Sequence, residues 1–153
     1  KITIGRVQGK AVGGGVGLVA ATDYCLATAH SDIKLSELTI GIGPFVIEPA
    51  VTRKIGLSAM SQLSLEASTF FSAQWAHKKG LYMKISPSIE TLDAEVKKLA
   101  EQLCGYNPEA LLKLKNTFWE GTEHWTELLK KRAAISGSLV LSDFTKSQLK
   151  NYK

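Results

Sequence analysis

Two features of this 153-residue chain could do chemistry together: the run Val12-Gly13-Gly14-Gly15-Val16-Gly17 and the carboxylate of Glu37 in Leu35-Ser36-Glu37-Leu38. A glycine run at the start of a helix leaves backbone N–H groups unobstructed where they have no intrahelical acceptor. Such donors hold an anion, or an oxygen that becomes anionic during a reaction. A single carboxylate in a similarly apolar setting can move a proton. Together they are minimal equipment for proton chemistry beside a carbonyl group.

Other uses of the glycines fit less well. A phosphate loop would end in Gly-Lys-Ser/Thr, whereas Gly9-Lys10-Ala11 precedes the run and lacks the metal-holding hydroxyl. A dinucleotide loop would need three glycines at a fixed spacing and an acidic residue at the end of the next strand, and neither is present. A site of close helix packing, where side chains would clash, stays open beside the catalytic reading.

The elements that must position these groups are readable from pattern. Ile2-Thr3-Ile4-Gly5-Arg6-Val7 alternates apolar residues at period two and predicts a strand before the glycines, and Leu18-Val19-Ala20-Ala21 predicts a buried helical turn after them. Tyr24-Cys25-Leu26-Ala27-Thr28 and Ile33-Lys34-Leu35 predict two more strands, so Glu37 falls just past a strand end, where open α/β folds place functional groups. Helical segments are expected on both sides of Gly56, and Ser72 is expected to cap a helix ended by Gly80. Leu81-Tyr82-Met83-Lys84-Ile85 reads as a short strand, and helices are expected over 91–103, 108–119, 125–136 and 142–152. The change from mixed α/β to all-helix near Pro87 divides the chain into residues 1–86 and 87–153. The later helices carry Leu111, Leu114, Phe118, Trp119, Trp125, Leu128, Leu129 and Ile135, more apolar surface than a small α/β layer can cover.

Composition narrows the class. The net charge of +5 resides mostly in lysines, which solvated helix faces explain; attraction of an anionic substrate comes second. Nucleic acid comes last, since no basic cluster interleaved with aromatics is present. No apolar run reaches membrane-spanning length. His30, His77 and His124 have no ligand spacing, and Cys25 and Cys104 have neither metal nor redox spacing, so no metal site is expected and a reducing, cytoplasmic setting fits. Cys25 reads as an inert core thiol.

Ile4-Gly5-Arg6-Val7-Gln8-Gly9-Lys10-Ala11-Val12-Gly13-Gly14-Gly15 with Ala20-Ala21-Thr22-Asp23-Tyr24 resembles the enoyl-CoA hydratase/isomerase (crotonase) superfamily, as do Ser36-Glu37-Leu38-Thr39-Ile40-Gly41-Ile42-Gly43-Pro44 and Ser72-Ala73-Gln74-Trp75-Ala76-His77-Lys78-Lys79-Gly80-Leu81. The likeness runs in order along nearly the whole chain. It implies an α/β crotonase-like ββα spiral core, incomplete at the N-terminus, over residues 1–86, followed by an all-helical oligomerisation region over 87–153. Within the superfamily, Gly15-Val16-Gly17-Leu18-Val19-Ala20-Ala21 and Ile42-Gly43-Pro44-Phe45-Val46-Ile47-Glu48-Pro49 look most like the methylglutaconyl-CoA hydratase branch of leucine breakdown.

The resemblance implies that the Gly14 N–H is one of two donors holding a thioester carbonyl, and that Gly13, Gly14, Gly17, Pro44 and Phe45 line the substrate. Coenzyme A belongs to the substrate, and no separate cofactor is implied. The family domain is longer than this chain, so the second oxyanion donor and most contacts to adenine and pantetheine are expected before Lys1. The C-terminal helices are expected to form a homotrimer or a dimer of trimers. Ser142-Asp143-Phe144-Thr145-Lys146 departs from the family's usual acidic-Gly segment.

Family hydratases use two glutamates; here Gly17 stands at the first position and Glu37 at the second. A lone Glu37 can serve water addition, acting as base and then as acid, or a double-bond isomerisation. A non-catalytic assembly or nucleic-acid-binding member is the third alternative. Gly17 itself has two readings: a pocket freed of negative charge for a substrate with its own distal carboxylate, or close helix packing. Glu48 is a runner-up carboxylate better explained as a helix-start residue, and Asp23 reads as structural.

Overall fold

In the computed structural model, which describes residues 1–151, the alternating opening segment becomes strand β1 (Ile4–Val7). There follow β2 (Ala11–Val12), α1 (Gly14–Ala20), β3 (Tyr24–Thr28), β4 (Ile33–Lys34) and a 3-10 turn (Glu37–Ile40). Then come α2 (Glu48–Leu65), α3 (Ala73–Lys78), β5 (Lys84–Ser86) and four helices: α4 (Ile89–Cys104), α5 (Pro108–Phe118), α6 (Trp125–Val140) and α7 (Asp143–Asn151). The expected extension of the last helix to Tyr152 lies outside the described residues.

All strand pairs are parallel. One sheet has the order β1-β3-β5, with Ile4 opposite Tyr24, Val7 opposite Ala27, and Leu26 opposite Lys84. The second sheet pairs β2 with β4, and an antiparallel bridge joins Ile33 to Phe71. Parallel sheets are covered on their faces by crossover helices. Accordingly α4 crosses β1, β3 and β5 and buries Leu92 completely, while α1 packs on α2. The core gathers Val16, Cys25, Ile33, Leu35, Val51, Leu63, Leu81 and Tyr82 from both sheets and the first three helices.

Local signals account for several boundaries. The Ser72 hydroxyl accepts the Trp75 N–H at 3.1 Å and caps α3, and Asn107 Oδ1 accepts the N–H groups of Glu109 and Ala110 ahead of α5. Gly56, with φ 78° and ψ 159°, interrupts α2 where two helical segments were expected to meet. Two expectations shift. Leu18, read as part of a buried turn, is 75% exposed, because seven-residue α1 turns Val16, Gly17, Val19 and Ala20 inward. The last strand begins at Lys84 rather than Leu81, because Leu81 and Tyr82 are drawn wholly into the core. The Tyr82 hydroxyl donates to the Ser31 carbonyl at 3.0 Å, the Ser31 hydroxyl donates to the Val7 carbonyl at 2.9 Å, and Thr28 contacts Ser31 at 2.9 Å. This satisfies the buried polar groups between the two sheets.

Helices α5 and α6 contain no buried residue, and Leu114, Phe118 and Ile135 remain about half exposed. They are tied to the core by polar contacts. Asp23 accepts hydrogen bonds from Lys115 Nζ at 2.6 Å and Trp119 Nε1 at 2.7 Å, and the Arg53 guanidinium stacks on the Trp119 ring at 4.6 Å.

Candidate active site

The glycine run is fixed to the second sheet through its first member. The Gly13 N–H donates to the Lys34 carbonyl at 2.9 Å, continuing the β2–β4 pairing by one residue. Gly13 has φ 54° and ψ −122°, a conformation that disfavours any side chain, and its carbonyl accepts the Val16 N–H at 2.9 Å. The chain therefore turns sharply from strand to helix at this glycine. The next N–H, that of Gly14, is left without an acceptor among the described residues, and a Cβ built on Gly14 would meet nothing within 4 Å. A backbone donor with no acceptor, in a loop that carries no side chain there, can receive a ligand oxygen. Because α1 is only seven residues long, the attraction comes from these individual N–H groups more than from a long helix dipole.

Glu37 is brought to the same place from the other sheet strand. It begins the 3-10 turn that follows β4, and the turn is tightened by the Thr39 N–H and hydroxyl, which donate to the Ser36 carbonyl at 3.0 and 2.6 Å. Gly41, with φ 82°, ends the turn, and the Ile42 N–H returns to the Glu37 carbonyl at 3.1 Å. A Cβ on Gly13 would lie 3.1 Å from Glu37 Oε1, so the carboxylate rests against the glycine loop. Its other oxygen, Oε2, is buried and has no hydrogen-bond partner among the described residues. A buried carboxylate oxygen with no partner is uncommon and marks a site awaiting a donor. Burial raises the Glu37 carboxyl above its ordinary value, which makes its carboxylate a better proton acceptor.

The structure thus brings Glu37 against Gly13, with Gly14 next in the chain, while Gly17, Pro44 and Phe45 have other immediate neighbours. Gly17 is buried, and a Cβ there would lie 2.3 Å from Ile47 Cγ2 and 2.7 Å from Ile47 Cβ. Its Cα faces Ile47 at the α1–α2 contact, so the structure displays close packing at Gly17. Pro44 and Phe45 line an apolar groove of about 310 Å³ with Leu38, Gly43, Glu48 and Met60, among others. That groove shares the Glu37 turn through Leu38, but Gly14 and Glu37 are not on its wall.

Sequence reasoning left out Arg132, whose guanidinium donates to the Phe45 carbonyl at 3.3 Å and pairs with the Glu48 carboxylate. It noted Phe144 and Thr145 only as part of a departure from the family pattern, not as residues that pack against Gly41. No local pattern marks these contacts, since they join segments far apart in the chain. Asp23 and Cys25, read as structural, sit in structural surroundings. Burial alone would raise Asp23, but hydrogen bonds from Lys115, Trp119 and Thr3 outweigh it and bring the carboxyl down to about 2. Burial pushes the Cys25 thiol up to about 12.

Comparison with known proteins accords with this arrangement. The bacillaene synthase dehydratase PksH of Bacillus subtilis (strain 168) is 30% identical over 128 residues, covering 84% of this chain and 44% of the relative. A peroxisomal Delta(3,5)-Delta(2,4)-dienoyl-CoA isomerase of Arabidopsis thaliana is 30% identical over 148 residues, covering 94% of this chain and 52% of the relative. The chain therefore spans about half the length of these relatives. A crystal structure of an enoyl-CoA hydratase from Mycobacterium avium subsp. paratuberculosis K-10 superposes with a TM-score of 0.87 at 23% identity, covering 97% of this chain and 62% of the other; at that identity it speaks for the crotonase fold alone. The sequence profile of the Enoyl-CoA hydratase/isomerase family matches residues 1–150, and the chain belongs to that family.

Proposed function

We propose that this chain supplies the proton-transfer half of a site that adds water across the double bond of an enoyl-CoA thioester. The observation that carries the reading is the buried, unpartnered Oε2 of Glu37 beside a glycine loop with a free Gly14 N–H. Glu37 takes a proton from water as the water oxygen bonds to the β-carbon. The π electrons move toward the thioester oxygen, and the Gly14 N–H stabilises the resulting enolate. Glu37 then returns the proton to the α-carbon, so one carboxylate closes the cycle unchanged. The second oxyanion donor and the contacts to coenzyme A would come from sequence outside this chain.

The finer substrate assignment, methylglutaconyl-CoA, rests on the sequence likeness at residues 15–21 and 42–49. The packing of Gly17 on Ile47 removes one physical motive for it. A homotrimer or dimer of trimers is supported by the half-exposed Leu114, Phe118 and Ile135 on α5 and α6. Isomerisation is the second reading. It is favoured by the presence of one carboxylate at the glycine loop and by the dienoyl-CoA isomerase among the 30%-identical relatives. In that case Glu37 lifts a proton from one carbon and returns it farther along the chain.

Incubating the intact protein with crotonyl-CoA and methylglutaconyl-CoA in heavy-oxygen water separates the readings. Hydration incorporates the label and isomerisation does not. Glu37→Gln keeps the side-chain size but cannot take the proton, and is expected to lower turnover by about 10²–10⁴-fold. Near-normal turnover by that variant refutes the assignment.

A further inference from the structure

We propose that Arg132 is a positioning residue for Glu37, acting through the loop that joins the 3-10 turn to α2. This rests on the reading of Glu37 as the proton-transfer group. The loop, residues 41–47, leaves the turn that carries Glu37 and enters α2 at Glu48. Nothing in its own sequence gives it a regular backbone ladder. It is held instead at both ends by the C-terminal helices.

At the near end, Gly41 lies under α7. A Cβ there would be 2.5 Å from Phe144 Cδ1 and 2.7 Å from Thr145 Oγ1, and Thr145 is fully buried. Gly41 and Ile42 are themselves bonded to the turn, through the carbonyls of Leu38 and Glu37 at 3.1 Å each. At the far end, Arg132 on α6 pairs with the Glu48 carboxylate and donates to the Phe45 carbonyl at 3.3 Å. Glu48 is further fixed, since its Oε1 accepts the Thr52 hydroxyl at 2.6 Å and its N–H donates to the Pro44 carbonyl at 3.0 Å. The Phe45 ring folds back on Gly43, which closes the loop upon itself.

One guanidinium nitrogen of Arg132, Nη1, serves both the Glu48 carboxylate and the Phe45 carbonyl, so a single charged donor ties the helix start to the loop. Its side chain and that of Glu48 are about three-quarters covered, so solvent screens the pair only partly. Glu37 has no hydrogen bond of its own to set the place of Oε2. Its position depends on the backbone of the turn, and the turn is fixed by the loop. Releasing the far end of the loop lets water reach Oε2 and loosens the carboxylate relative to the Gly14 N–H.

The test follows the Glu37 carboxyl directly. Glutamate labelled with carbon-13 at Cδ is incorporated into the intact protein, and the Glu37 resonance is assigned by its loss in Glu37→Gln. In Arg132→Met the titration midpoint of Glu37 is expected to fall toward the ordinary carboxylate range as water reaches Oε2. Arg132→Lys, which keeps the charge but not the rigid planar head, is expected to restore part of the difference. A midpoint in Arg132→Met within about 0.2 units of the parent's overturns the proposal, whatever happens to turnover. If Arg132→Met does not fold, the pair Arg132→Met/Glu48→Met removes both charges together and carries the same measurement. With enoyl-CoA, kcat is expected to fall by about 10-fold and KM to change by less than about threefold. A shifted midpoint with unchanged kcat supports the positioning of Glu37 by Arg132 and refutes Glu37 as the proton-transfer group, so the two failures are told apart.

Discussion

Gly17→Ala tests whether this position serves packing or substrate. The added methyl would lie 2.3 Å from Ile47 Cγ2, 2.7 Å from Ile47 Cβ and 3.7 Å from Ile47 Cα. Carbon atoms rest at about 3.5–4.0 Å, so the contact must open by more than about 1 Å. Rotating Ile47 does not suffice, because its Cβ is itself too close and its χ1 is stiff. Separating α1 from α2 remains, at a cost near the upper end of the roughly 1–3 kcal/mol found for overpacked sites. Alanine also improves helix propensity over glycine by about 1 kcal/mol, which offsets part of this. A net loss of about 2 kcal/mol is expected, or a melting temperature lower by roughly 4–8 °C for a chain of this size. Thermal unfolding monitored by circular dichroism reads it. Gly14→Ala is the control, because nothing lies within 4 Å of its added Cβ; its stability is expected to stay within about 0.5 kcal/mol. Ile47→Ala should relieve part of the penalty of Gly17→Ala when the two are combined, since Cγ2 is gone while Cβ remains at 2.7 Å, a coupling visible as non-additivity. A Gly17→Ala protein as stable as its parent would refute the packing argument and return Gly17 to the substrate pocket.

Three further outcomes are expected. Glu37→Gln should stabilise the protein at neutral pH by about 1 kcal/mol, since it removes a buried, unpartnered charge. Because the folded Glu37 carboxyl is raised, the native state holds more protons than the unfolded one; its penalty is complete above the folded value and vanishes below the unfolded value, so the stabilising difference should fade on acidification, and a gain that grows toward low pH contradicts this. Asp23→Asn should destabilise by about 2–4 kcal/mol in denaturant titrations at pH 7, since it leaves Lys115 unpaired and weakens the anchor of α5. Asp23 lies at about 2 in the folded protein, so its contribution is present above the ordinary carboxylate range and is lost as pH falls through about 2; equal stability of parent and variant at pH 7 would remove the anchoring role. Finally, Cys104 should be alkylated by iodoacetamide in the native protein while Cys25 is spared, because Cys104 is exposed and Cys25 is buried with its thiol pushed up to about 12; peptide mapping decides, and fast labelling of Cys25 contradicts the packing around it.

Much of this protein was written in local sequence. The strand over Tyr24–Thr28, the helix starts at Ser72 and Asn107-Pro108, and the break at Gly56 follow from short-range periodicity, capping and backbone freedom. The glycine turn and Glu37 were legible one by one, each expected after a strand; their juxtaposition was not, because it comes from β2, a two-residue strand that pattern did not mark, pairing in parallel with β4. Tertiary structure decided the rest. Gly17 is read as packing only once Ile47, 30 residues later, is seen against it. Asp23 meets Lys115 and Trp119 across 92 and 96 residues, and Arg132 reaches Phe45 across 87. Leu18 sits on the outward face of α1, and Leu81 and Tyr82 enter the core instead of extending a strand, because burial against distant neighbours outweighs intrinsic preference. Local pattern carries what a residue prefers; which surface faces it is set by elements the pattern does not contain.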